Sequence, residues 1–119
     1  NTGDKLIESL ERRLDNVIYR LGFAPTRASS RQLVSHGHVR VNEAKVKTPS
    51  FLVAAGQVVT FRPKGLTVPV VKKSLEMKDV VIPGWLERQG AAGKVVRLPQ
   101  RTDVSEDISE QLIIEHYSR

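Results

Sequence analysis

The hydrophobic period of this chain changes from 3.6 residues to two at Gly37, and that switch limits the possible folds more than any other feature. Before it, Leu6, Ile7, Leu10, Leu14, Val17, Ile18 and Leu21 recur at helical spacing. At about 100° per residue they share roughly one third of the circumference, which predicts a continuous amphipathic helix. Gly22 is the left-handed residue expected to end it. Thr26 is a good N-cap for a second, short helix running through Arg31 to Ser35 and stopping at Gly37. Beyond Gly37, Val39 and Val41 alternate with His38 and Arg40, Asn42-Glu43-Ala44 reads as a turn, and Lys45-Val46-Lys47 alternates again, as a β-hairpin does. The apolar run Phe51-Leu52-Val53, a turn at Gly56-Gln57 and a strand over 58–61 complete a small sheet. The expected class is α+β: a helix pair with a helix-turn-helix-like front, a small antiparallel sheet, and a mixed companion region drawn from the chain ends.

The later sequence is less regular. Residues 68–78 suit a helix that begins at Pro69 and buries Val70, Val71, Leu75 and Met77. Pro83-Gly84, a flexible loop at Gly90-Ala91-Ala92-Gly93 and Pro99 punctuate the next stretch, with a strand expected over 94–98 between the loop and Pro99. In the tail, Asp107 and Glu110 offer a capping box, and Ile108, Leu112, Ile113 and Ile114 form an apolar cluster that suits a helix or a strand.

A chain of 119 residues supports one core with at most a satellite. The absence of Cys removes disulfides, thiolate zinc sites and cysteine nucleophiles, and it fits a reducing cytoplasm. No stretch approaches the roughly 20 apolar residues of a membrane span, and no apolar signal segment follows a basic start, so a soluble, unexported chain is expected. The net charge of +6 is unevenly placed. Residues 16–62 carry seven basic side chains against the single Glu43, whereas residues 102–119 carry five acidic against one basic. A basic middle between neutral and acidic ends reads as a surface for an anionic partner, nucleic acid before membrane.

No residue set supplies catalytic machinery. His36 and His38 form an H-x-H, but zinc needs three or four ligands and the only carboxylate near them in sequence is Glu43. Neither a metal nor a cofactor is expected. The case for RNA begins at Arg27 and Arg31, four apart on the second helix with no acidic residue nearby. Like charges at that spacing repel, and a phosphate gripped by both guanidinium forks would relieve the repulsion, provided both are exposed. Gln32 and Ser35 suit either polar contacts at the border or a plain solvent-facing surface. On the hairpin, burying Val39, Val41 and Val46 turns His38, Arg40, Lys45 and Lys47 to the other face. Mostly neutral His36 and His38 would contribute hydrogen bonds or stacking. Arg13 and Arg20, seven apart on the first helix, suit either salt bridges or RNA. With only 5% aromatic residues, stacking of many single-stranded bases is disfavoured, and folded RNA read by shape and phosphate fits better.

The segments Leu10 to Asn42, TPSFLV, AAGQVV, PGWLE, GKVVRLPQRTDV and ISEQLIIEHYSR, in that order, resemble the family of small ribosomal subunit protein number four and the RNA-binding domain named after it. The resemblance implies a non-catalytic ribosomal protein that binds small-subunit ribosomal RNA directly and early in assembly, with an influence on decoding accuracy. It implies neighbouring small-subunit ribosomal proteins as partners, no homo-oligomer, and residence in a cytoplasmic or organellar ribosome. The RNA-binding domain would span residues 10–75, with 1–9 and 76–119 as companion region. Family positions that bear on RNA map to Arg13, Arg27, Arg31, Gln32, His38 and Asn42, with Asp15 holding the helices rather than touching RNA. Three departures stand out. Family members have an N-terminal region before the first helix that is missing here. The hairpin turn reads Asn42-Glu43 instead of Asn-Gly, which suggests a longer or bulged turn. Gln57 replaces a frequent Asp while keeping hydrogen-bonding capacity. The competing readings are a free-standing RNA-binding module of a tRNA or ribosome-rescue factor and a helix-turn-helix DNA-binding regulator.

Overall fold

The apolar stripe predicted to form one helix forms two, α1 (Thr2–Arg12) and α2 (Leu14–Arg20), in a computed structural model that describes residues 2–77, 80–100 and 103. The helix breaks at Arg13, whose φ of −58° and ψ of 138° are extended. The cause lies far along the chain, where residues 49–53 dock in the gap. Leu14 N–H donates to the Phe51 carbonyl (2.8 Å), Asp15 N–H to that of Pro49 (3.1 Å), and Val53 N–H to that of Arg12 (3.0 Å). The first amides of α2, which a helix leaves unsatisfied, thus find partners in a distant segment.

Gly22, at φ +80°, turns the chain into α3 (Arg27–Ser35). As expected, Thr26 caps α3. Its Oγ1 accepts from Ser29 N–H (3.0 Å), and Ser29 Oγ accepts from Thr26 N–H (3.2 Å). Leu33 and Val34 bury one face of α3 against α2, and Gly37, at φ +79°, ends its C-terminal turn.

The hairpin consists of β1 (Val39–Val41) and β2 (Ala44–Lys45). Its turn is neither longer nor bulged. Val41 pairs directly with Ala44, and both Asn42 (φ 48°) and Glu43 (φ 70°) adopt left-handed backbone. The third strand β3 (Val58–Phe61) compensates by clamping Asn42 twice: Asn42 N–H donates to the Val58 carbonyl (2.9 Å) and Val58 N–H to Asn42 Oδ1 (2.8 Å). Gln57 keeps the expected hydrogen bond, its Oε1 accepting from Ala54 N–H at 2.7 Å.

After a short 3₁₀ turn over Gly65–Thr67, α4 (Pro69–Glu76) starts with Pro69 in its first turn, as predicted. Its inward face is Val71 with Ser74, whereas Leu75 and Met77, expected inside, are exposed. Of residues 90–93, expected as a flexible loop, Gly90 and Ala91 turn a tight hairpin from β4 (Leu86–Gln89) to β5 (Ala92–Val95), with Gln89 opposite Ala92, and Ala92 and Gly93 lie in β5 itself. The strand predicted over 94–98 therefore begins and ends earlier. The five strands form one antiparallel sheet in the order β2-β1-β3-β5-β4. Helix or strand over residues 107–117 lies outside the described residues.

The fold is α+β with a core shared by α2, α3, α4 and the sheet: Ile18, Leu21, Phe23, Val34, Val39, Val59, Val71, Trp85 and Val95 are buried together. Phe23 meets Phe61 edge to face, with centroids 5.0 Å apart. Arg88 ties the C-terminal hairpin to the helices. It donates to the carbonyls of Leu21 (2.8 Å) and Ser74 (2.9 Å) and lies over the Phe23 ring at 4.5 Å.

Candidate nucleic-acid interface

The arginines of the helix pair divide into those held by the protein and those left to solvent. Arg20 is held, its Nε donating to Glu11 Oε1 at 2.8 Å with both side chains largely buried. Arg13 is also held, by a two-pronged contact with the buried Asp15 (3.2 and 3.1 Å). Arg27, expected to be exposed beside Arg31, is half-buried. Its Nε donates to Asn16 Oδ1 (3.1 Å), its guanidinium covers the Tyr19 ring at 4.5 Å, and its Nη2 is enclosed without a hydrogen-bond partner among the described residues. Burial, followed by Arg20, holds its pKa below the ordinary arginine value, yet it stays charged near neutral pH. The cation that bears on Arg27 is Arg20 and not Arg31, so the repulsion anticipated between Arg27 and Arg31 does not by itself call for an external anion.

Arg31 faces outward. Its side chain is 58% exposed and only brushes Asp15 at 3.5 Å, so most of its fork points to solvent. Asp15 thus sits between Arg13 and Arg31 and sets their spacing, as a holding role for it requires. Thr26, Ala28, Ser29, Arg31, Gln32 and Ser35 line a shallow depression on the outer face of α3. The hairpin continues the surface. Arg40 pairs across the strands with Lys45, which puts both on the face opposite the buried Val39 and Val41. A Cβ at Gly37 would lie 3.1 Å from Lys45 Cε and 3.8 Å from Lys47 Cδ, so both lysines lean over the end of α3. Asn42 is exposed, but its backbone and side-chain oxygen are committed to β3.

Two cations not selected from the sequence adjoin this band, Arg62 and Lys64, which share a hollow with His36, Gly37 and His38. Arg62 reaches it because its Nη1 donates to the Gly37 carbonyl (3.3 Å) and its N–H to that of His38 (2.8 Å). Only the pairing of β3 with β1 brings residue 62 beside residue 38, so nothing local in the sequence marked it. Partial burial, then His36, Lys64 and Arg62, hold the His38 pKa below the ordinary histidine value, which favours the neutral ring. Among the described residues, none of Arg40, Lys45, Lys47, Arg62 and Lys64 forms an ion pair with a carboxylate. No group of three metal-ligating side chains occurs among them, and no described helix is long and apolar enough to cross a membrane. Such an arrangement can donate many hydrogen bonds to anionic oxygens but offers no nucleophile beside a base.

Residues 12–59, which hold the α2–α3 pair, the hairpin and the first half of β3, match the S4 domain family, so this part of the chain carries an S4 domain. The whole chain is also similar to proteins named small ribosomal subunit protein uS4. It is 48% identical to that of Chlorobium phaeovibrioides over 99% of this chain and 60% of the relative. It is 49% identical to that of Aquifex aeolicus over 100% and 59%, and 50% identical to that of Chlorobaculum tepidum over 99% and 60%. The chain is thus similar to uS4 proteins along its whole length and spans about 60% of the length of these relatives.

Proposed function

We propose that this protein is a structural, non-enzymatic component of the small ribosomal subunit that binds small-subunit ribosomal RNA, in a cytoplasmic ribosome and beside other small-subunit proteins. One observation carries the reading: the outer face of α3 and the hairpin present Arg31, Arg40, Lys45 and Lys47 in one band in which, among the described residues, the sole carboxylate contact is the 3.5 Å one between Arg31 and Asp15. The uS4 relatives support it by their names. Gln32, His36, His38 and Asn42 border the band. Arg13, Arg20 and Arg27 belong to the same site chiefly as supports, since their forks are directed at Asp15, Glu11 and Asn16. Residues 10–75 are the RNA-binding part in this reading, and residues 1–9 and 76–119 its companion.

Phosphates dominate such a contact, because lysine and arginine donors without stacking aromatics recognise backbone more than base. The test is binding to small-subunit ribosomal RNA in physiological salt against excess tRNA and duplex DNA. Selective retention of the ribosomal RNA is expected. Equal displacement by tRNA would favour a general RNA-binding module, and displacement by duplex DNA a helix-turn-helix regulator.

A further inference from the structure

We propose that the hollow formed by His36, His38, Arg62 and Lys64 binds one backbone phosphate of the RNA and takes up a proton on His38 as it does so. The inference rests on the RNA-binding reading above and extends it to a second anchoring point beyond the α3 face and the hairpin. Two chain segments that are distant in sequence converge here: the link from α3 to β1, with His36, Gly37 and His38, and the turn after β3, with Arg62, Pro63 and Lys64.

Their geometry is held by backbone. Arg62 N–H donates to the His38 carbonyl at 2.8 Å, Arg62 Nη1 to the Gly37 carbonyl at 3.3 Å, and Gly65 N–H closes the turn onto the Arg62 carbonyl at 2.8 Å. Gly65 packs so tightly that a Cβ there would lie 2.9 Å from both the Cβ and the carbonyl oxygen of His38. The His36 and His38 rings stand 6.2 Å apart at 65°. Lys45 and Lys47 face the same Gly37 from the hairpin side. Every charged group facing His38 from these elements is therefore a donor or a cation, and none of them forms an ion pair among the described residues.

A hollow lined by two cations and two imidazoles, with no carboxylate, suits a group that carries acceptor oxygens better than a metal ion. A proton on His38 is disfavoured in the free protein by burial and by its cationic neighbours. A phosphate seated among the same groups reverses that field, and the imidazolium supplies a second N–H that the neutral ring lacks. Binding and protonation then reinforce each other reciprocally.

The test follows the His36 and His38 ring resonances by NMR from about pH 5.5 to about pH 8, in the free protein, with inorganic phosphate, and with small-subunit ribosomal RNA. Both ligands should shift the two rings and raise the His38 pKa. RNA affinity should increase as pH falls, by about tenfold for each unit of that rise between the fully deprotonated and fully protonated limits. Lys64→Gln, which removes no hydrogen bond from the fold, should weaken phosphate binding several-fold. His38→Gln should abolish the pH dependence while still binding RNA at about pH 8. RNA binding that is independent of pH, with His38 unmoved by either ligand, would overturn the site and leave the RNA-binding reading standing. A His38 that responds to inorganic phosphate in a protein that fails to bind RNA would support the phosphate hollow and overturn the RNA reading. PH dependence that survives in His38→Gln would also overturn the proposal.

Discussion

Glu43 sits at φ 70° beside Asn42 at φ 48°, a backbone pair in which a side chain on the second residue is disfavoured. The strain persists because β3 grips Asn42 from both its N–H and its Oδ1. Glu43→Gly should relieve it and stabilise the fold by about 0.5–1 kcal/mol, read from urea denaturation with an unchanged slope. Arg27 and Arg31 look equivalent in the sequence, yet one is enclosed and the other open. Arg27→Ala should cost roughly 1–3 kcal/mol of stability, since it removes a half-buried charge-assisted hydrogen bond and a cation–π contact. Arg31→Ala should leave thermal unfolding almost unchanged and weaken RNA binding by about tenfold, the loss of one charge-assisted phosphate contact of about 1.4 kcal/mol. Equal stability losses in the two variants would contradict this division of labour. Helical spacing correctly placed both arginines on α3. It could not show that Asn16 and Tyr19 of α2 would cover one of them.

Among the elements, the helices and the first hairpin were legible because each is written locally. Thr26 caps, Gly22 and Gly37 terminate, and Val39, Val41 and Val46 alternate. The break at Arg13 was not legible, because what stops the helix is the backbone of residues 49–53 and not a helix-breaking residue. β4 was missed for a related reason. Leu86-Glu87-Arg88-Gln89 is too polar to read as a strand, which suits its place at the sheet edge, where only one side pairs. Gly93 in β5 shows what the hairpin needs, since a Cβ at that position would overlap Leu21 Cδ1 of the α2 terminus. Gly93→Ala should therefore destabilise the protein by roughly 1–3 kcal/mol through overpacking, measurable as a lowered Tm. An unchanged Tm would mean that the hairpin can move off α2 at little cost.

For the molecule as a whole, the property that matters is the separation of charges that stabilise the fold from charges that face outward. Glu11, Asp15 and Asn16 absorb Arg20, Arg13 and Arg27, while Arg31 on the α3 face keeps one long contact to Asp15 and the hairpin cations pair with no carboxylate among the described residues. If about six phosphates are neutralised, affinity for duplex-like RNA should fall by about three orders of magnitude between about 50 and 200 mM salt. A filter-binding series in salt checks this directly, and a flat profile would show that phosphate contacts are not the source of affinity. One continuous sheet links the hairpin to β4 and β5, so denaturation of the described region should be a single cooperative transition.

The sequence by itself determined the α+β class, the capped second helix, the position of the first hairpin, the basic middle of the chain and the resemblance to a ribosomal family. The first four depend on periods, caps and composition read along the chain, and the resemblance on matched segments such as Leu10 to Asn42. The tertiary structure alone decided which cations are available to a ligand. Arg31 meets Asp15 across 16 residues, Arg62 meets Gly37 across 25, and Arg88 meets Leu21 across 67. A charge becomes a binding group or a structural one according to what the folded chain places beside it, and that neighbour is set by packing, not by spacing along the sequence.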